Sequence, residues 1–404
     1  MRDLVLLGGL SHKDLTKAIC RNLSTEQGIV ESKKFSNGET SINIDNSVRE
    51  KDVFIVQSGC GDVNDNFIEL LIMISACKMA SAKRVTAVFP LFPYSRQPDT
   101  PYIPSTAGTA DTKGAVLKTE GTKENGLKDA APNTELRVNA FVHNGPIFSE
   151  RLIANSFSPA IESDKSGEDG NDYKQWIAQN GTLVANLLTT AGADRCITMD
   201  LHDPLFQGFF KIPIDNLHSA PLFKRYIIDT IPNYQGCVVV SPDSGGAKRA
   251  TAIADSLGCR FALIHKDKRS GRFHSFSENS SSHPSNMIST TMLVGDVRNR
   301  VCILVDDLVD TAFTITRAAK LLKDQGATYV YALASHGSCS GDAVNRIAQS
   351  TIDKFVVTNT VPQIESGKIL GDKIAVLDVA PIFAESIRRI YNGESVSMLF
   401  EHAW

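Results

Sequence analysis

Short, continuously apolar runs of strand length alternate with segments of helix length along most of this chain. In the first half, residues 53–56 and 85–89 enclose a helical stretch. In the second half, residues 301–305 and 329–333 enclose another, at 314–323. Strands that are apolar at every position are typical of a parallel sheet covered by helices on both faces. The pattern therefore predicts an α/β fold in which helices supply the crossovers.

The same plan occurs in both halves, which indicates two α/β domains of similar build. A third unit repeats the plan, with a helical segment at 183–188, a turn, and a strand at 196–199. The length of 404 residues allows two or three domains, because a domain usually takes about 100–200 residues. Gly326 follows the helix of the second half, where helices often end on glycine.

Two segments interrupt this pattern. Residues 98–182 are rich in Thr, Gly, Pro, Asn and Asp, and their 12 acidic and 8 basic residues give a net charge of −4. Residues 270–290 contain eight serines. Segments of such composition bury too little apolar surface to form a core of their own. Both are predicted to be long loops or disordered insertions.

Composition and charge exclude several classes of protein. Hydrophobic residues make up 42% and charged residues 22%, an ordinary soluble mixture. No apolar run approaches the roughly 20 residues that span a bilayer, and no signal peptide is expected at the start. The eight cysteines form no CxxC pair, which favours free thiols and a cytoplasmic location over disulfides or zinc. The net charge of −3 does not favour nucleic-acid binding.

The sharpest local signal is a buried strand that ends in two carboxylates and leads through a polar turn into a helix. Asp306 and Asp307 end the strand, and the turn is predicted to run from position 306 to 311. Backbone N–H groups and the helix dipole converge beyond such a strand end and suit a phosphate. Thr311 and Thr314 add hydroxyl donors, and the paired carboxylates suit ribose hydroxyls or hydrated Mg²⁺. An Asp- and Thr-capped helix explains the same residues without a ligand.

A second strand, at 238–240, leads into Asp243, two glycines and the basic pair Lys248 and Arg249. The glycines, Gly245 and Gly246, are predicted to take positive φ and to let the backbone approach a ligand. Asp243 is a candidate metal ligand, and the basic pair a candidate for phosphate. A tight turn with solvated charges is the structural alternative.

Four other motifs carry candidate functional side chains. His202 and Arg96 each follow a strand, where ligand sites of α/β folds gather. A strand that begins near position 261 ends in a cationic cluster, which suits developing phosphoryl charge. Residues 35–39 form a turn. In isolation, a lone histidine is more often structural, and a cationic cluster more often a solvated loop.

Taken in chain order, these motifs strongly resemble those of the ribose-phosphate pyrophosphokinase family, also called phosphoribosyl-diphosphate synthetases. The series reads FSNGE, VQSG, FPYSRQ, MDLH, QGFF, PIDNL, SPDSGGAKR, ALIHKDK, LVGDV, LVDDLVDT, VTNT and NGESVS. The resemblance covers residues 1–97, about 183–269 and 291–404.

The resemblance implies two tandem phosphoribosyltransferase-like domains with parallel sheets flanked by helices. The first is expected to span residues 1–216, with the insertion 98–182, and to be completed by a C-terminal helix and tail at 387–404. The second is expected to span residues 217–386, with the Ser-rich loop 270–290.

The resemblance also implies an activity: diphosphate moves from ATP to O1 of ribose 5-phosphate, giving phosphoribosyl diphosphate and AMP for nucleotide biosynthesis, with Mg²⁺ as cofactor. It assigns ribose 5-phosphate binding to Asp306, Asp307, Asp310, Thr311 and Thr314. It assigns ATP binding to Arg96 and Gln97, and to Phe35, Asn37 and Glu39 from a neighbouring subunit. It assigns catalysis to Lys266, Lys268 and Arg96, and metal binding to His202 and Asp243. It suggests a regulatory phosphate site at a subunit interface, at Ser47, Arg49 and Ser81.

Three positions depart from the family pattern. The family follows its Arg-Gln pair with a short loop rich in Lys and Arg, whereas here no basic residue appears between Gln97 and Lys113. Phe313 stands where the family has glycine, and we expect its ring to crowd the phosphate pocket, since phenylalanine does not easily take positive φ. Lys268 stands where the family has arginine, so that bidentate phosphate geometry is lost.

All three departures fall on the chemistry, so the chain is predicted to be a subunit with weak activity alone. It is expected to bind ATP and ribose 5-phosphate, and to join paralogous synthetase subunits in a homo- or hetero-oligomer, without nucleic acid or membrane. Restoring glycine at 313 together with a basic short loop is expected to raise activity. Two alternatives stay open: a non-catalytic regulatory or structural subunit, and a phosphoribosyltransferase.

Overall fold

The structure is a computed structural model that describes residues 3–96, 180–268 and 289–400, with only the backbone at 266–268 and 289–291. These ranges belong to one compact unit. The predicted insertions at 98–182 and 270–290 lie mostly outside the described residues. The predicted insertions extend too far at their carboxyl ends, because Gly181 already begins a helix and Ser289 already begins a strand.

The strands follow in chain order: β1 (Leu4–Gly8), β2 (Val30–Lys34), β3 (Thr40–Ile44), β4 (Asp52–Val56), β5 (Arg84–Phe89), β6 (Arg195–Met199), β7 (Ile214–Leu217), β8 (Val238–Ser241), β9 (Arg260–Lys268), β10 (Ser289–Val294), β11 (Val301–Val309), β12 (Tyr329–Gly337), β13 (Lys354–Thr358) and β14 (Ile374–Leu377).

The α-helices of the described ranges are α1 (Lys13–Leu23), α2 (Val63–Met79), α3 (Gly181–Ala191), α4 (Ala220–Thr230), α5 (Ala247–Leu257), α6 (Phe313–Asp324), α7 (Ala343–Gln349), α8 (Ile364–Leu370) and α9 (Ala380–Asn392). Short 3₁₀ turns lie at Pro204–Phe209, Tyr234–Gly236, Gly371–Lys373 and Ser397–Phe400. Gly326 takes φ +90° just after α6, as the sequence predicts.

The strands form two main sheets and a separate hairpin. The first sheet has the order β1-β4-β5-β6-β7 and is parallel throughout. The second has the order β10-β9-β8-β11-β12-β13-β14 and is parallel except for the β9–β10 pair. β2 and β3 form an antiparallel hairpin. The predicted α/β class, with parallel sheets flanked by helices, is confirmed.

The inner strands of each sheet are buried on both faces, which explains the unbroken apolar runs in the sequence. In β8, Val238 and Val240 pack into the core on one face, and Val239 packs into the core on the other. In β4, Val53 and Phe54 likewise lie in different cores. Since successive side chains of a strand point to opposite faces, a strand covered on both faces needs apolar residues at every position.

The last helix, α9, packs against the first sheet rather than the second. Phe383 and Ile387 share a core with Leu6 of β1 and Ile19 of α1. In the C-terminal part of the chain, the residues of this core start at Val379, before the predicted boundary at position 387. The division of the chain into residues 1–216 with 387–404, and 217–386, remains our proposal.

Replacing Ile387 by valine is expected to lower the free energy of unfolding by about 1 kcal/mol, since one methylene leaves a packed core. Ile387 is fully buried. Denaturant unfolding measures the change. The same substitution at Ile369, which is 53% exposed on α8, serves as the matched control and should change stability little. Equal effects at the two positions would contradict the packing of α9 on the first sheet.

No helix among the residues that the structure describes combines the length and the apolar character needed to cross a membrane.

Candidate active site

The strand order of the second sheet reverses at β8. β9 pairs with one side of β8, and β11 pairs with the other, in a register that includes Leu304↔Val240. Ligands of open α/β sheets bind beyond the carboxyl ends of the strands at such a switch point. Asp243 follows β8, and Asp306 and Asp307 lie near the end of β11. The topology thus brings two of the sequence motifs together.

β11 continues to Val309, so Asp306 and Asp307 lie within the strand, not in the turn that the sequence predicted. The reason is β12, which pairs with β11 as far as Val309↔Gly337. Backbone hydrogen bonds to a neighbouring strand outweigh the polar character of these residues. The turn is shortened to positions 310–312.

The predicted crowding by Phe313 was wrong. The left-handed residue of the loop is Ala312, with φ +62°, and Phe313 is already the first residue of α6. The Phe313 side chain is 47% exposed and is not among the residues that line the cleft described below. Its ring packs instead beneath the guanidinium of Arg346, whose Cζ lies 3.7 Å from the ring centroid.

A cleft of about 340 Å³ lies at the switch point. Its lining includes eight of the residues singled out from the sequence: Arg96, His202, Asp243, Asp306, Asp307, Asp310, Thr311 and Thr314. They come from four separate parts of the chain and from both sheets. The fold therefore brings together most of the residues that the motif series assigned to ribose 5-phosphate, metal and ATP.

Asp307 is buried and holds two basic side chains. Its Oδ2 lies 2.6 Å from Nδ1 of His202, and its Oδ1 accepts a hydrogen bond from Nη1 of Arg249 at 3.0 Å. Burial raises the pKa of Asp307, but the His202 hydrogen bond and the Arg249 charge outweigh burial, so the pKa is lowered. The same hydrogen bond raises the pKa of His202 against its burial. Asp307 therefore orients His202 and Arg249, a pairing that the sequence did not predict.

Asp306 has the opposite environment. Burial, followed by the negative charges of Asp307 and Asp243, raises its pKa well above the ordinary value. Asp243 is positioned by the backbone N–H of Gly246, which donates to its Oδ1 at 2.9 Å. A cation placed between these carboxylates would relieve their repulsion.

The predicted positive φ of Gly245 and Gly246 was wrong. Gly246 has φ −80°, and neither glycine is among the residues with positive φ. A glycine is favoured at 246 for space, because a Cβ there would lie 3.0 Å from Oγ of Ser241.

Within the described ranges, no group of three or more His, Cys, Asp or Glu side chains is arranged to hold a metal ion. Mg²⁺ does not require such a cage, because one or two carboxylates commonly hold it together with substrate phosphates and water. Asp243 and Asp306 supply oxygen donors of that kind. His202 supplies a nitrogen, and its Nδ1 is held by Asp307. The donor set fits a magnesium ion that binds with a phosphate substrate.

Arg96 enters the cleft from the first sheet. Its Nη2 donates to Oδ2 of Asp310 at 2.9 Å. Burial raises the pKa of Asp310, but hydrogen bonds from Ser340 and Arg96 lower it by more, so the net shift is downward. This ion pair joins the segment after β5 to the loop after β11.

The segment that carries Arg96 is held by aromatic packing. The Phe92 ring lies 4.7 Å from that of Phe89 and 5.5 Å from that of Phe206, centroid to centroid. Tyr94 then takes a left-handed conformation with φ +58°, and its ring meets Phe67 edge-on. The packing of Phe92 and the turn at Tyr94 together direct the chain toward the cleft.

The structure describes the remaining catalytic and ATP-site predictions only in part. Lys266 and Lys268 lie in β9, where Lys266 pairs in register with Thr291 of β10, and only their backbone is described. Gln97 lies outside the described residues. The roles of all three stay predictions.

Phe35, Asn37 and Glu39 occupy the turn of the β2–β3 hairpin. The backbone N–H of Phe35 donates to the carbonyl of Glu39 at 2.9 Å, and Asn37 Oδ1 accepts from the Glu39 N–H at 3.1 Å. Phe35 is 58% exposed. None of the three lines the cleft of its own chain. Their predicted role at a neighbouring subunit is left as a prediction.

Ser47, Arg49 and Ser81 lie in two turns at the amino ends of β4 and β5. The Glu50 N–H donates to the Ser81 carbonyl at 2.9 Å, which joins the turns. Arg96 follows the carboxyl end of β5, so this group lies at the opposite edge of the first sheet. The regulatory role assigned to it from the sequence stays a prediction.

Sequence reasoning missed a buried polar junction between the two sheets, centred on Asp200. Its Oδ2 accepts hydrogen bonds from the Ser335 hydroxyl at 2.6 Å and the Ser219 N–H at 3.1 Å. Its Oδ1 lies 3.2 Å from Nδ1 of His218. Ser335 belongs to β12, so the junction ties the strand end that precedes His202 to the second sheet. The available signal was a carboxylate directly after a buried strand.

Comparison with known proteins indicates the same family as the motif series does, over the whole chain. The profile of the "N-terminal domain of ribose phosphate pyrophosphokinase" matches residues 4–110, and that of the "Phosphoribosyl synthetase-associated domain" matches residues 233–401. Ribose-phosphate pyrophosphokinase 5 of Schizosaccharomyces pombe is 49% identical over 402 residues, covering 100% of this chain and 98% of that protein.

A solved structure shows the same relationship. Phosphoribosylpyrophosphate synthetase from Mycobacterium smegmatis superposes with a TM-score of 0.70 at 30% sequence identity, covering 97% of this chain and 99% of that one. The fold, the motif series in its cleft and these full-length similarities agree, and the chain belongs to the ribose-phosphate pyrophosphokinase family.

Proposed function

We propose that this chain is a ribose-phosphate diphosphokinase subunit. It transfers the diphosphate group of ATP to O1 of ribose 5-phosphate and yields phosphoribosyl diphosphate and AMP for nucleotide biosynthesis. One observation carries the proposal: the acidic end of β11, the loop before α6 and Arg96 from the other sheet converge in one cleft. The activity named for the Schizosaccharomyces pombe relative is of the same kind.

The segment 310–314, which is the 310–312 loop with the first two residues of α6, is the proposed site for the phosphate group of ribose 5-phosphate. It opens the 12-residue helix α6, whose N-terminus favours an anion. The side chains of Thr311 and Thr314 line the cleft at this point and supply hydroxyl donors. We propose that Asp306 and Asp310 accept hydrogen bonds from ribose hydroxyls, and that Asp307 acts indirectly by holding His202 and Arg249.

Asp243 and Asp306 are the proposed oxygen ligands of Mg²⁺, with His202 beside them. When bound, Mg²⁺ neutralises phosphate charge and helps to orient the reacting phosphates. Arg96 and Gln97 are proposed to contact ATP, together with Phe35, Asn37 and Glu39 of a neighbouring subunit. Lys266 and Lys268, at the end of β9, are proposed to stabilise the charge that develops during transfer.

The reaction is an in-line displacement without a covalent enzyme intermediate. O1 of the ribose attacks the β-phosphorus of ATP, and the bond from that phosphorus to the oxygen bridging to the α-phosphate breaks. The bridging oxygen leaves with AMP, and the proton of the O1 hydroxyl is released. Catalysis then depends on positioning and on preorganised charge. The ion pairs and hydrogen bonds among the charged side chains of the cleft support such a role.

We further propose weak activity for the chain alone and assembly with paralogous subunits in the cytoplasm. Two of the three departures still support weak activity: the absence of basic residues between Gln97 and Lys113, and lysine at 268. The third does not, since Phe313 does not line the cleft. The free thiols of all eight cysteines suit a reducing compartment. Ser47, Arg49 and Ser81 remain the proposed regulatory site.

The purified chain, supplied with Mg²⁺, inorganic phosphate, ATP and ribose 5-phosphate, is expected to form AMP roughly 100- to 1,000-fold more slowly than a complex with its paralogues, because it lacks basic donors at the reacting phosphates. Calorimetry with ribose 5-phosphate should detect binding to the chain alone. Full activity of the isolated chain would contradict the weak-subunit proposal. Absence of both binding and AMP formation would contradict the proposed function and favour a structural subunit.

A further inference from the structure

The loop before α6 is held from behind by the segment that follows β12. This segment binds three consecutive carbonyl groups, one at the last residue of β11 and two in the loop. The carbonyl of Val309 accepts from the N–H of Cys339 at 3.1 Å, and that of Asp310 accepts from the N–H of Ser340 at 3.0 Å. The carbonyl of Thr311 accepts from Nη1 of Arg346. Arg346 is thus the side-chain member of an otherwise backbone set.

Holding these carbonyls determines where the next N–H groups point. In a planar trans peptide, the C=O and the following N–H point in opposite directions. With three carbonyls turned toward one segment, the N–H groups of Asp310, Thr311 and Ala312 are turned away from it. Successive N–H groups in a turn of this kind form a concave site that suits an anion. The bond from Arg346 fixes the last of these peptides, at the left-handed residue Ala312.

Arg346 uses the edge and the face of its guanidinium at the same time. The edge donates to the Thr311 carbonyl, while the face lies 3.7 Å from the centroid of the Phe313 ring. Its Nη2 also lies 4.0 Å from a carboxylate oxygen of Asp342. A planar guanidinium can stack and donate together, which an ammonium group cannot do. By stacking, the Phe313 ring thereby holds the Arg346 guanidinium directly beside the loop.

We infer that Arg346, stacked on the Phe313 ring, is a positioning residue that holds the 310–312 loop in the conformation that binds the phosphate of ribose 5-phosphate. The inference rests on the proposed function for the identity of the ligand. It reverses the expected meaning of phenylalanine at 313, since the ring supports the loop from outside the cleft. Glycine at that position removes the stacking partner of Arg346 and does not enlarge the phosphate pocket.

A second arginine on the same ring provides a matched control. Cζ of Arg317 lies 5.6 Å from the Phe313 centroid, and the described contacts of the Thr311 carbonyl include Arg346 but not Arg317. Arg346→Met and Arg317→Met each remove one positive charge near the same ring. Only the first removes the hydrogen bond that holds the loop.

The experiment measures the Kd of ribose 5-phosphate by calorimetry on the full chain, and the hydrogen exchange of peptides that cover 310–314 without ligand. Arg346→Met should raise Kd roughly 10- to 100-fold, the range for a hydrogen bond to a charged group, and should speed exchange in these peptides. Arg317→Met should leave both within about twofold, as expected for an exposed charge. Arg346→Lys should fall between wild type and Arg346→Met, and Phe313→Gly should raise Kd. Melting temperatures close to wild type show that the variants are folded.

Equal Kd and exchange for Arg346→Met and wild type would overturn the inference, as would tighter binding by Phe313→Gly. If the wild-type chain itself binds no ribose 5-phosphate, the proposed function fails. The exchange measurement then still decides whether Arg346 holds the loop: unchanged exchange in Arg346→Met would overturn that statement on its own.

Discussion

An Asp200→Ala variant is expected to lose about 3–5 kcal/mol of unfolding free energy, the cost of removing one member of a buried hydrogen-bonded network. Asp200 is only 8% exposed. Its loss leaves the Ser219 N–H and the Ser219 and Ser335 hydroxyls without their carboxylate acceptor. The Ser219 and Ser335 hydroxyls lie 2.8 Å apart and can still bond to each other, but the Ser219 N–H and one hydroxyl proton keep their desolvation cost.

Asp200 carries this cost because the junction is where the two sheets are joined. Three further hydrogen bonds cross it between residues distant in sequence. The His336 ring lies 3.1 Å from the Met199 carbonyl, the Ser58 hydroxyl donates to the Thr360 carbonyl at 2.7 Å, and the His12 ring lies 2.8 Å from the Asn359 carbonyl. Loosening one member weakens its neighbours, since buried polar networks are cooperative.

Denaturant unfolding of the Asp200→Ala chain measures the loss. Asp203→Ala is the control, because Asp203 lies in the same segment and caps the 3₁₀ turn at the Leu205 N–H, at 2.9 Å. Removing an exposed cap costs about 1 kcal/mol. A loss at Asp200 no larger than that at Asp203 would show that the junction does not join the sheets.

The sequence was sufficient for the parts of the fold that depend on local pattern. The apolar runs that became β4, β8 and β11 are buried on both faces, so the strands could be recognised without knowledge of their partners. The carboxyl ends of parallel strands share an edge of a sheet. For that reason, the motif residues at the carboxyl ends of β8 and β11 were predictable members of one site, whereas His202 follows β6 of the other sheet and its place in the cleft depends on how the sheets pack.

The features that were missed depend on contacts between distant segments. The length of β11 is set by pairing with β12, and the pairing of Asp307 with Arg249 crosses from β11 to α5. The placement of Phe313 depends on Arg346, from a helix later in the chain. A loop motif alone does not show which of its residues takes the left-handed conformation. Ala312 and Phe313 were distinguished only by the structure.

Replacing Asp307 by asparagine is expected to lower kcat for diphosphate transfer roughly 100- to 1,000-fold, the usual cost of losing one preorganised charged group at a phosphoryl-transfer site. Both oxygens of Asp307 are already engaged, by His202 and Arg249. An asparagine keeps the size of the side chain but offers one acceptor and no charge. His202 and Arg249 therefore lose the anchor that directs them, while Asp306 and the segment 310–314 keep their places.

Single-turnover formation of AMP and calorimetry with ribose 5-phosphate separate these effects. The loss should fall on kcat, with the Kd of ribose 5-phosphate changed less than about tenfold, because Asp307 acts through the side chains it orients. Asp229→Asn, on the surface of α4 and paired with Arg225 at 3.5 Å, is the matched control and should change neither quantity beyond about twofold. A loss confined to Kd would instead make Asp307 a direct ligand of the sugar. In that case its bonds to His202 and Arg249 would have to break on binding, and the charge of Asp307, rather than its anchoring, would be what the cleft requires.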